Sequence, residues 1–309
     1  MSSPVMIPED ERPNPPRRGL KKGLYLIPSL FTAANIAMGF FSVMASVRGF
    51  QLLAGSIPDV NAAAAHFDSA AMAIGWAVVF DMLDGRIARM TRTTTEIGIQ
   101  LDSIADVVTF GLAPAVLAYV WGYGASLVEG TKLHQLAWFL SFMYLMCGAF
   151  RLARFNVQAS RPRILAEGTP KVDKKSFVGL PIPVAGGLIA AIVHFSPEPL
   201  MSFSPDKARI YSGLLMLLVG LLSAMMVSTL RFSSFKTVGT RTRSMRTIIL
   251  VLAVGMLIFL YSQYVLLILA IAYILHGLGS RVVGMIWRRG EATEKIVATN
   301  TVSRSSSGS

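Results

Sequence analysis

Apolar positions gather along this chain in runs of about 20 residues, the length a helix needs to cross the hydrocarbon core of a bilayer, with short polar or basic segments between them. Eight such runs fall at 27–48, 68–90, 97–122, 133–152, 178–196, 208–230, 245–262 and 263–286. The pattern predicts an all-α integral membrane protein, a polytopic bundle of about eight transmembrane helices. The ends break the pattern. Residues 1–16, rich in Pro, Arg and Glu, and the Ser-rich tail TVSRSSSGS hold too little apolar surface to build a core and are expected to be disordered. Just before the first run, the basic stretch RRGLKKGLYLI (17–27) is expected to form a short interfacial helix with Leu20, Leu24 and Ile27 in lipid. A cleaved signal peptide is not expected, because the first apolar run is too long for an h-region and no small-residue cleavage site is evident.

Composition agrees with the periodicity. Hydrophobic residues make up 53% of the 309 and charged residues 15%, which is not the profile of a soluble domain. The single cysteine, Cys147, excludes an intrachain disulfide framework. Short cytoplasmic loops are enriched in Lys and Arg. Placing the N-terminus inside puts all but four of the 29 basic residues on the inner side, the exceptions being Arg48, Lys132, Lys207 and Arg209. Both termini are then cytoplasmic. Topology and attraction to anionic headgroups explain the net charge of +12, and no nucleic-acid partner is needed.

The chemistry is concentrated in DMLDGRIARMTRTTTEIGIQLDSIAD, Asp81 to Asp106. Carboxylates are costly within a membrane span and mark a functional site when they occur there. Asp81 and Asp84 are three apart and share one face at the end of the second run, while Asp102 and Asp106 are four apart on one face of the third. The intervening RMTRTTTE loses apolar periodicity and carries a β-branched threonine run, so it is expected to reverse the chain and bring the two acidic faces together. Oxygen ligands without His or Cys nearby favour hard cations such as magnesium, manganese or calcium. Two such ions can clamp the oxygens of a phosphoryl group in displacement, with Arg86, Arg89 and Arg92 as further phosphate ligands and Gly85 and Ala88 leaving room beside the backbone. Acids near helix ends are also commonly plain caps or salt bridges, but four of them with Gly and Ala between weigh against that reading. A second class of function, a divalent cation transporter, would place its site near the bilayer midplane in repeated, interrupted helices. Here the acids cluster at one end and no internal repeat is apparent.

The run Asp81-x-x-Asp84-Gly85-x-x-Ala88-Arg89, then eight residues, then Gly98-x-x-x-Asp102-x-x-x-Asp106 resembles the signature of the CDP-alcohol phosphotransferase family without departure. The resemblance implies a six-helix core over 27–230, followed by two additional helices (231–286), with cytoplasmic segments at 1–26 and 287–309. It implies that Asp81, Asp84, Asp102 and Asp106 hold two divalent metal ions, Mg2+ or Mn2+, and that Asp106 is also the general base. Gly85, Ala88, Arg89 and Thr95, with Ser29, Thr32 and Asn35 in the first run, would contact the CDP-diacylglycerol donor. The softer runs FGLAPA (Phe110 to Ala115), RLARFN (Arg151 to Asn156) and GLPIPVAGG (Gly179 to Gly187) resemble the branch whose acceptor is L-serine. That branch implies transfer of a phosphatidyl group to the serine hydroxyl with release of CMP by direct displacement. Arg151 and Arg154 are candidates for the acceptor's carboxylate. Rival acceptors are glycerol 3-phosphate and an inositol phosphate. The family further implies a homodimer, and the prokaryotic resemblance implies a cytoplasmic (inner) membrane with the site on its cytoplasmic side. No nucleophilic Ser–His or Cys–His pair is visible, and His66, His134, His194 and His276 are expected far from the aspartates.

Overall fold

Among the described residues, six helices are long and apolar enough to cross a membrane, over Leu30–Leu53, Val60–Ile87, Ile97–Tyr123, Lys132–Val157, Ile182–Ser202 and Pro205–Val227. They match the first six predicted runs, and the chain is a multi-pass membrane protein. The computed structural model describes residues 18–91, 96–160, 176–228, 231–233, 256–257 and 260–275. The helices are α1 (Arg18–Leu53), α2 (Val60–Thr91), α3 (beginning as Glu96–Asp106), α4 (Lys132–Ser160), α5 (Ile182–Phe195) and α6 (Pro205–Val227). A shorter apolar helix, α7 (Leu260–Leu275), begins at the end of the predicted seventh run and continues into the eighth, while most of the seventh lies outside the described residues. So do both termini and the threonine turn at 92–95.

The starts of the first two helices differ from the sequence reading. The basic stretch expected to form a helix of its own is continuous with α1, which runs unbroken from Arg18. The second helix begins eight residues before its apolar run, because Asp59 accepts a hydrogen bond from the Ala62 N–H at 2.9 Å and so caps an alanine-rich first turn.

The bundle is apolar outside as well as inside. Phe40 and Met44 on α1, Trp138 and Phe150 on α4, and Leu217 and Leu221 on α6 are all exposed. Lipid is their solvent, so helix association rests on close packing rather than on hiding apolar surface. The interior therefore uses small residues: α2 buries Ala63, Ala70, Ala71 and Ala77 around Phe67 and Ile74. It packs against α1 and α5, while α4 packs against α6 and α3 runs through the middle. The core centres on Phe110, Leu117, Tyr144, Ile182 and Leu222.

The third helix is not regular. After Asp106 it widens into π-helical turns at Val107–Leu112 and again at Ala118–Tyr123. Such turns release backbone groups from the usual ladder and are frequent at functional sites. Here the Phe110 carbonyl accepts the Tyr144 hydroxyl at 3.1 Å, and the Thr109 hydroxyl donates to the Asn35 carbonyl at 3.0 Å. The second contact requires α1 and α3 to approach closely at Gly39, where a Cβ would stand 2.4 Å from Thr109 Oγ1 and 2.8 Å from Thr109 Cα.

A two-stranded antiparallel ribbon, β1 (Ser176–Val178) with β2 (Arg231–Ser233), was not foreseen. It delays the fifth helix from the predicted 178 to Ile182. Gly179 turns the chain with φ +82°, against the Met226 carbonyl, and Pro181 then starts the helix. A residue preceding proline is disfavoured in helical geometry, which explains the late start.

Gly39→Ala is expected to lower stability by about 1–3 kcal/mol through overpacking between α1 and α3. Gly75→Ala, where a Cβ would meet nothing within 4 Å, should leave it unchanged. Thermal unfolding of the two variants in detergent checks the difference.

Candidate active site

The two acidic faces converge as the spacing predicted. Asp81 comes from the C-terminal half of α2, Asp102 and Asp106 from the start of α3, and one carboxylate oxygen from each lies within 4.8 Å of the other two. Asp84 stands beside this trio and not within it. It is buried, and it accepts a hydrogen bond from the Thr32 hydroxyl of α1. One of its two oxygens is thereby committed, and the other remains an acceptor. Its charge still acts on both Asp81 and Asp102. Asp106 adds a second peculiarity, since its Oδ1 is buried with no hydrogen-bond partner. Several carboxylates so close together, one with an orphaned oxygen, are a donor set for hard cations and are costly without them.

The first helix supplies the adjoining wall. Thr32 and Asn35 are one turn apart and both buried. Neither the amide nitrogen nor the amide oxygen of Asn35 has a partner within the protein, although its backbone carbonyl receives Thr109. A buried, wholly unsatisfied amide calls for a polar ligand or water. Gly85 is exposed on α2 next to Asp84, and Arg86 is exposed beyond it. The side chains of Ser29, Ala88, Arg89 and Thr95 lie outside the described residues.

The fourth helix separates two arginines that the sequence treats alike. Arg151 is half-buried, its charge acts on Asp106, and its Nε is buried without a partner. Arg154 instead reaches the Val227 carbonyl, 3.5 Å away at the C-terminus of α6, where a cation meets both free carbonyls and the negative end of the helix dipole. Two residues further, the Asn156 amide donates to Ser103 Oγ at 2.8 Å, tying α4 to the residue beside Asp102. Sequence reasoning placed Asn156 in the RLARFN run without a role, and nothing local marks Ser103 as its partner.

A Ser–His contact that the sequence did not show is present, away from the four aspartates. At the opposite end of the bundle His194 lies between Asp68 (2.5 Å from Nδ1) and Ser262 (2.8 Å from Nε2). Three helices far apart in sequence meet there, so periodicity along any one of them could not show it.

Matching with known families follows the same residues. The CDP-alcohol phosphatidyltransferase family profile matches residues 25–205, which includes all four aspartates and Arg151. The chain belongs to this family. Among its relatives is the CDP-diacylglycerol–serine O-phosphatidyltransferase of Helicobacter pylori (strain 26695), 30% identical over 256 residues that cover 82% of this chain and 90% of the relative. Proteins of the same description from Methanocaldococcus jannaschii (32% identical, 51% of this chain and 60% of the relative) and Saccharomyces cerevisiae (34%, 53% and 51%) are similar over shorter stretches. The acidic cluster lies within the matched residues.

Asp81→Asn and Asp102→Asn are each expected to weaken Mn2+ binding by at least about tenfold, because a neutral amide replaces a charged oxygen ligand. Asp206→Asn, in the first turn of α6 at the other end, should not change it. Titration of detergent-solubilised protein with Mn2+, followed by electron paramagnetic resonance, separates these outcomes.

Proposed function

We propose that the protein is a phosphatidylserine synthase, transferring the phosphatidyl group of CDP-diacylglycerol to the hydroxyl of L-serine and releasing CMP. The observation that carries this reading is the Asp81–Asp102–Asp106 cluster with Arg151 facing Asp106, in a chain whose relatives across bacteria, archaea and yeast carry that description.

Asp81, Asp84, Asp102 and Asp106 would hold two divalent ions, Mg2+ or Mn2+, and the convergence of carboxylate oxygens and the orphaned Asp106 Oδ1 fit that role. When bound, such ions would supply positive charge to the pyrophosphate of the donor. Asn35 offers its unsatisfied amide to the nucleotide side, and Thr32 fixes the Asp84 carboxylate against α1. Ser29, Gly85, Ala88, Arg89 and Thr95 complete the donor contacts. Asp106 accepts the proton of the serine hydroxyl as that oxygen bonds to phosphorus and the CMP oxygen departs. Arg151 receives the serine carboxylate through its free Nε edge; Arg154 is occupied by the end of α6 and holds the scaffold. No covalent enzyme intermediate is required, so catalysis is positioning and electrostatics.

The six-helix core over 27–230 carries the site, and 231–286 adds to it. The acidic end faces the cytoplasm of the inner membrane, where the nucleotide product is released, and the protein works as a homodimer among membrane lipids. Clustering of the acids at one end of the helices favours transfer over cation transport, which would use the midplane.

Purified protein given CDP-diacylglycerol, Mn2+ or Mg2+ and radiolabelled serine should form phosphatidylserine, and Asp106→Asn should lower kcat by about 100-fold or more. Product with glycerol 3-phosphate or an inositol phosphate alone would overturn the serine assignment. Arg151→Lys should raise the KM for serine by about tenfold and leave that for the donor, whereas Arg154→Lys should act chiefly on stability.

A further inference from the structure

The second widened turn of α3, Ala118–Tyr123, stands toward the end of the bundle remote from the aspartates. Trp121 is fifteen residues beyond Asp106, a rise of about 22 Å. Within the turn Gly122 departs from helical geometry (φ −101°, ψ −112°), and a Cβ on it would stand 2.4 Å from Leu215 Cδ2 of α6. Beside this close approach lies a cavity of about 540 Å³, lined among others by Trp121 of α3, Ile192 and Phe195 of α5, and Tyr211, Leu214 and Leu218 of α6. Its volume falls within the range, roughly 300–1,000 Å³, of sites that hold small molecules.

The surroundings indicate what fills it. These lining residues belong to membrane-spanning segments, and Phe195, Tyr211 and Leu214 are exposed, so the cavity is open to the bilayer. Acyl chains are the solvent there. Trp121 adds a polar requirement: it is 3% exposed, and its indole N–H is buried with no acceptor among the described residues. A buried donor calls for a partner, and the ester carbonyl of a glycerolipid arrives with its acyl chain. Tryptophan and tyrosine near the ends of spans mark the headgroup level. Tyr211 meets Phe203 edge-on at that end, with ring centroids 5.8 Å apart. Lys207 is exposed one turn before Tyr211 on the same face of α6, about 6 Å nearer the membrane surface, while its neighbour Asp206 lies on a different face. A lysine at that height supplies positive charge at the level of a lipid phosphate.

We propose that this cavity is a binding site for an anionic glycerophospholipid of the leaflet away from the aspartates. One acyl chain lies between α5 and α6, its ester carbonyl accepts the Trp121 N–H, and the phosphate faces Lys207. The site is separate from that of the donor, whose pyrophosphate belongs at the opposite end, and it does not depend on which acceptor the enzyme uses. The bound lipid joins α3, α5 and α6 where the cavity separates them.

Native mass spectrometry of the full chain, released from nanodiscs of equal parts phosphatidylglycerol and phosphatidylcholine, tests this. Wild-type protein should retain one more phospholipid than Leu218→Trp, whose added ring fills the cavity. That lipid should be phosphatidylglycerol by about fivefold, the effect of one lysine near an anionic headgroup. Lys207→Gln should keep the lipid and lose the preference. Trp121→Phe, which keeps an aromatic ring and removes the donor, should weaken retention by about fivefold. Mn2+ binding, read by electron paramagnetic resonance, should be unchanged in all three variants and marks them as folded. Equal lipid retention by wild type and Leu218→Trp overturns the site. So does a change of oligomeric state in place of lipid loss, which would make this face a contact between copies. Equal retention of the two lipids by wild-type protein overturns the anionic assignment.

Discussion

Three carboxylates held within 4.8 Å of one another at the end of an apolar bundle, with a fourth at their side, are the feature that everything around them must accommodate. Like charges brought together away from water repel, and each has lost hydration. The structure leaves this cost partly unmet: Thr32 satisfies one oxygen of Asp84, Arg151 lends its charge to Asp106, and an Asp106 oxygen remains orphaned. Such an arrangement persists only if the surrounding packing imposes it. The close approach of α1 to α3 at Gly39, the π-helical turns after Asp106 and the Asn156–Ser103 bond on α4 are the contacts that do so.

The membrane sets the terms of that packing. Because lipid is as apolar as the helix surfaces, burial of hydrocarbon does little to drive the helices together. What does is steric fit between small residues and hydrogen bonds between helices. Both devices recur wherever the site is braced, as in the alanine face of α2, the Tyr144 hydroxyl on the Phe110 carbonyl and the Asp68–His194–Ser262 chain. The last of these lies at the opposite end from the acidic cluster and joins α7 to α5 and α2.

Much of this was legible in the sequence because it is local. Apolar runs report membrane helices directly, and separations of three and four place Asp81 with Asp84 and Asp102 with Asp106 on single faces. What periodicity cannot show is which face meets which. It gave no sign that Asp84 would turn to Thr32 while its three companions cluster, nor that Arg151 and Arg154, one turn apart in one run, would face Asp106 and the end of α6 respectively. The widened turns of α3 were hidden as well, since an inserted backbone step leaves the apolar composition of a run intact. The β1–β2 ribbon was missed for a related reason. Its two strands are three residues each and lie more than 50 residues apart.

The central claim is that the acidic cluster is a metal centre for phosphatidyl transfer. Crystals grown with Mn2+ and CDP-diacylglycerol, measured at the manganese absorption edge, test it most directly. Two anomalous peaks bounded by Asp81, Asp84, Asp102 and Asp106, with the donor's pyrophosphate against them and its nucleotide near Thr32 and Asn35, are the expected result. Manganese bound elsewhere, or a donor seated away from the aspartates, would contradict it.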